Sequence, residues 1–160
     1  MTRFRAVALF LILCGVNLAL MVPGGFVETR SFPGYSVVLL GAFNVFLTVL
    51  GLGSLLLGYR AFRGQNVGGW AVLAGLSYVA VYLADIGRVF PVADSPMSAT
   101  LATLEWLGTA LGLVTAALGA WLMLAHSKSQ GRRTALPHGL LAAMAVAAVA
   151  IIAFATWSVA

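Results

Sequence analysis

Five apolar stretches, separated by short polar links, organise the chain: residues 4–22, 35–59, 67–90, 99–126 and 140–159. Each is close to or above the ~20 residues that a helix needs to cross the hydrocarbon of a bilayer. Backbone polar groups in lipid must be satisfied within the segment, so helices are the expected state. Links this short make consecutive helices antiparallel neighbours. The pattern predicts an all-α, polytopic membrane helix bundle with five transmembrane helices. Residues 1–160 form a single domain, with almost nothing left over for a soluble part.

Within the stretches, small and polar positions recur at helical spacing. The second carries Gly41, Asn44, Thr48, Gly51 and Leu55, and the third Gly75, Tyr78, Tyr82, Asp85 and Arg88. The fourth carries Glu105, Gly108, Gly112, Ala116 and Gly119. Spacings of three and four put each set on one face. Small residues allow close helix approach in a membrane, so these faces are expected to point inward and take the polar side chains with them. The fifth stretch has no ionisable residue and reads as peripheral.

Composition supports the same class: 62% of residues are hydrophobic and 8% charged, which excludes an ordinary soluble domain. The basic residues then set orientation. Arg3 and Arg5 precede the first stretch, Arg60 and Arg63 follow the second, and Lys128, Arg132 and Arg133 follow the fourth. In the alternate links Glu28 offsets Arg30, and Asp94 sits near Arg88. The positive-inside rule therefore predicts a cytoplasmic N-terminus and an exoplasmic C-terminus. A net charge of +5 distributed this way is no nucleic-acid signal. The first stretch is expected to be retained, because Leu20-Met21-Val22-Pro23 offers no small-residue cleavage site. A single cysteine, Cys14, excludes an intramolecular disulfide and a cysteine metal cluster. His126 and His138 have no acidic or thiol neighbours to complete a metal site. The basic segment between them reads as a topology-setting loop at anionic headgroups.

Orientation also sets depth. At 1.5 Å per residue, Asp85 lies ~7.5 Å and Glu105 ~9 Å inside the outer ends of their helices, with Asn17 at ~7 Å and Asn44 at ~13 Å. Glu28 and Arg30 occupy the outer link above them. Each intramembrane charge costs roughly 2.5–3.5 kcal/mol, so such residues face a protein interior and often mark function. The candidate site is Glu28, Arg30, Asn44, Tyr78, Tyr82, Asp85, Arg88 and Glu105. In this reading Arg30 and Arg88 orient an anionic or polar headgroup. Asp85 holds Arg88 one turn away, and the tyrosines line the apolar depth. With three carboxylates against two arginines, Glu105 is the expected protonatable member, because no basic residue lies within a turn of it.

The function this implies is binding of a lipid, quinone or other amphiphile entering from the bilayer, without metal or cofactor. No H-E-x-x-H, G-x-S-x-G or phosphate-binding glycine loop is present. Three other readings compete with it. The charges could simply staple the third and fourth helices together. The small-residue faces could dock a membrane-protein partner or a second copy, making the chain an accessory subunit of a larger complex. Glu105 and Asp85 could also serve as acid and base in an intramembrane isomerase.

The order Glu28-Thr29-Arg30, Gly87-Arg88, Asp94, Pro96 and Glu105 resembles that of small DoxX-like, four-helix bacterial membrane proteins, over about residues 23–121. The resemblance implies a bacterial inner-membrane protein in which Glu28, Arg30, Arg88, Asp94 and Glu105 belong together. It implies no particular reaction. The fifth stretch departs from a four-helix plan.

Overall fold

The computed structural model describes residues 2–125 and 138–159. Its helices are α1 (Thr2–Leu20), α2 (Val37–Phe62), α3 (Gly68–Ile86), α4 (Ala99–Ala125) and α5 (His138–Val159). All five are long and apolar enough to cross a membrane, and no strand occurs among the described residues. By its helices this is a multi-pass membrane protein. The basic segment after α4, with His126, lies outside the described residues, as does the third basic cluster that the orientation rule used.

Local chemistry sets the helix ends. Ser36 accepts the Leu39 amide at 3.3 Å and opens α2. Gly64, at φ 76°, turns the chain after α2, its amide donating to the Ala61 carbonyl at 2.8 Å. The third apolar stretch runs to Phe90, but α3 stops at Ile86. The Val89 and Phe90 amides fold back onto the Ala84 carbonyl, and Arg88 takes the left-handed conformation at φ 51°. Arg88 is therefore not a helical residue one turn beyond Asp85.

Packing is closest between α3 and α4. A Cβ on Gly75 would stand 2.5 Å from the Gly112 carbonyl oxygen and 2.6 Å from the Ala116 nitrogen. At Gly68 it would meet the Met123 nitrogen at 2.8 Å, and at Gly119 the Val72 nitrogen at the same distance. The two backbones thus touch along most of their length, as small-residue faces permit. α1 and α2 repeat this more loosely, with Gly15 near the Gly51 carbonyl and Gly58 near that of Ala8. Leu11, Tyr78, Leu101, Thr115 and Leu122 fill the core between the pairs. Among the helices, α5 packs against α2 alone, which matches its reading as peripheral. Leu55, expected on an inward face, packs on Gly15 of α1 and is 37% exposed.

Candidate functional site

The link between α1 and α2 carries two of the site's charges and folds back over one end of the bundle. Gly24, at φ 77°, makes the turn, and its amide donates to the Glu28 carbonyl at 2.9 Å. Glu28 and Arg30 are both buried by this fold. The Arg30 guanidinium donates from Nε to Glu28 Oε1 at 3.0 Å and from Nη2 to Glu28 Oε2. On its other edge Nη1 reaches Asp85 Oδ1 at 3.2 Å and Nη2 reaches Asp85 Oδ2 at 2.6 Å. One planar fork therefore grips two carboxylates, a geometry to which arginine is suited and lysine is not. Burial works against the charge on Arg30, but the hydrogen bonds to Glu28 and Asp85 outweigh it. The guanidinium is held above its ordinary pKa and stays charged.

Glu105 stands beside this pairing, its carboxyl close to that of Asp85. Its Oε1 lies 4.0 Å from Arg30 Nη2, the outer limit of an ion pair. Its Oε2 is buried and is the only buried side-chain oxygen or nitrogen among the described residues with no hydrogen-bond partner. Buried polar atoms are nearly always satisfied, so an orphan of this kind calls for an explanation.

A cavity of about 60 Å³ lies against these groups, lined by Glu28, Asn44, Tyr82, Asp85 and Glu105 among apolar side chains. One water needs about 10–15 Å³ by this measure, so the space fits a few waters or a small polar group. A second space of about 150 Å³ lies on the other side of Asp85 and is lined by Arg30, Arg88, Ser95 and Trp106. The Arg30–Asp85 pair divides the two.

Six of the eight residues expected at the site meet at the first cavity or its ion pairs: Glu28, Arg30, Asn44, Tyr82, Asp85 and Glu105. Two do not. Arg88 is exposed on the far side of Asp85, and the carboxylate expected to hold it holds Arg30 instead. The left-handed turn at Arg88 accounts for this, because it carries the side chain off the α3 stripe. Tyr78 lies deeper, stacked on Tyr82 with ring centroids 6.1 Å apart, and donates to Ser54 Oγ at 3.1 Å. Asp94, which the resemblance grouped with the others, is exposed.

Supporting residues complete the site. Asn17 donates to the Tyr82 hydroxyl at 3.2 Å and to the Leu104 carbonyl at 3.1 Å, tying α1 to α3 and α4. Gly108 makes room for both side chains, since a Cβ there would collide with each. Phe32 went unnoticed in the sequence: it is buried in the link, lines the cavity and presents its ring to Arg30 at 5.7 Å. Nothing in its local pattern marks it. Among the described residues no group of three His, Cys, Asp or Glu side chains is placed to hold a metal ion. The arrangement offers a desolvated hydrogen-bond acceptor beside a cluster in which three carboxylates face one guanidinium.

No curated protein and no solved structure matches the chain. A family match covers residues 3–135, which takes in α1 to α4 and ends before α5, so the chain belongs to the family described as a domain of unknown function (DUF8051).

Proposed function

We propose that this is a bacterial inner-membrane protein that binds a lipid or other amphiphilic small molecule through its polar head at Glu105. The orphaned, buried Glu105 Oε2 beside a cavity carries this reading. A staple would use up its polar atoms, as Glu28, Arg30 and Asp85 do; Glu105 retains an unused acceptor. The head that suits it is a hydrogen-bond donor, such as a hydroxyl or an ammonium. An anionic head is disfavoured, because Arg30 is already committed on both edges and the cluster holds more carboxylate than guanidinium. The distribution of basic residues supports a site in the outer leaflet, and the Glu28-Thr29-Arg30 and Gly87-Arg88 elements support kinship with the DoxX-like proteins. The isomerase reading is weakened because Asp85 is engaged by Arg30. The accessory-subunit reading draws support from α5, which lies beyond the family match and packs on α2 alone.

Purification of the full chain in native-lipid nanodiscs, followed by mass spectrometry of retained small molecules, tests the proposal. Wild type is expected to retain an amphiphile with a hydroxyl or amine head, and Glu105→Met to fold but lose it. Equal retention by both proteins would overturn the reading. A Glu105→Met variant that fails to fold while wild type carries no amphiphile would favour the staple.

A further inference from the structure

The cavity at Glu105 has an apolar neighbour. α1, α2 and α5 enclose a space of about 80 Å³ whose walls include Gly15, Gly51, Leu52, Leu55, Ile151 and Ala155. Gly51 leaves it open. A Cβ on Gly51 would make only an ordinary 3.4 Å contact with Leu18, so nothing else fills that position. The two spaces share Leu18, Met21, Pro23, Asn44 and Leu47, so one layer of side chains divides them. Of these only Asn44 is polar, and its Nδ2 donates to Thr156 of α5 at 3.2 Å.

This geometry limits how an amphiphile could leave the Glu105 cavity. The way past Asp85 leads into the space lined by Arg30, Arg88 and Ser95, where a hydrocarbon chain would bury charge against itself. The way past Asn44 and Leu47 leads into walls made almost wholly of hydrocarbon. We infer that the ligand is a single-chain amphiphile with a hydroxyl or ammonium head, its tail lying in the α1–α2–α5 groove with α5 as the side wall. The inference rests on the reading of Glu105 as the head site. It gives α5 a role that its packing alone does not: on one side it meets only α2, and Ile151 and Ala155 close the groove. The small volume of the groove, about 80 Å³, is the ground for one chain rather than the two of a diacyl lipid.

Two alkylamines serve as probes on the full chain in nanodiscs: hexadecylamine bearing a mid-chain diazirine, and hexylamine as the short-chain control. Photolysis of the long probe is expected to label the α2 peptide around Gly51–Leu55 and the α5 peptide around Ile151–Ala155. Gly51→Leu fills the groove from α2, and Ile151→Trp fills it from α5 at a half-buried position. Each is expected to lower hexadecylamine affinity about tenfold, or ~1.4 kcal/mol, and to leave hexylamine unchanged. Glu105→Met is expected to lose both amines. If Glu105→Met loses both while neither groove variant affects the long probe, the tail placement is overturned and the head site stands. If Glu105→Met keeps both amines, the head site falls and takes the inference with it. Labels spread evenly over lipid-facing residues such as Leu76 and Leu113 would also overturn the tail placement, marking the probe as bulk lipid.

Discussion

Arg30 makes five side-chain hydrogen bonds shorter than 3.3 Å, three to Glu28 in its own link and two to Asp85 across the bundle. Removing one partner from a buried ion pair strands the others, at a cost of about 3–5 kcal/mol. Arg30→Met is therefore expected to destabilise the protein by that order, read from unfolding in mild detergent. Arg88→Gln, at an exposed position outside the pairing, should stay within about 0.5 kcal/mol of wild type. The opposite ordering of these two variants would mean that Arg88, not Arg30, balances the site. Glu105→Met should cost little or even stabilise, since it removes a buried oxygen that has no partner.

At the level of elements, the α3–α4 contact holds the site together. Gly75 faces the backbone of Gly112 and Ala116, and a backbone cannot rotate aside as a side chain can. Gly75→Ala is expected to destabilise by at least about 1–3 kcal/mol, read from unfolding in detergent. Gly53→Ala, with open space around its Cβ, serves as the neutral control. Gly108→Ala tests a different consequence. It displaces the Tyr82 and Asn17 side chains rather than backbone, so amphiphile retention should fall more than stability does. The sequence made these faces legible, because spacings of three and four in glycine and alanine are a local signal. Leu55 shows the limit of that signal: it shares the α2 spacing but lies at the edge of the face, partly exposed beside Gly15 of α1.

Across the whole molecule, Glu28, Arg30, Asp85 and Glu105 all fall within the family match, while α5 lies beyond it. A four-helix core therefore carries the charged site, and α5 adds a wall to it. A side-chain hydrogen bond, from Asn44 to Thr156, joins them. Thr156→Val, which removes the hydroxyl that accepts from Asn44, is expected to cost only about 0.6 kcal/mol in unfolding, the usual size of such bonds between membrane helices. A much larger loss would mean that α5 belongs to the folding core. The sequence by itself determined the five helices and the gathering of polar residues near one end, since run length and helical spacing are properties of neighbouring residues. Only the tertiary structure decided which arginine holds Asp85, why Tyr78 stands outside the cavity, and that Glu105 keeps a free oxygen. The first of these depends on a link that folds back through Gly24 and on a left-handed turn at Arg88. The link brings together groups more than fifty residues apart, Arg30 and Asp85, and no local pattern encodes such a meeting.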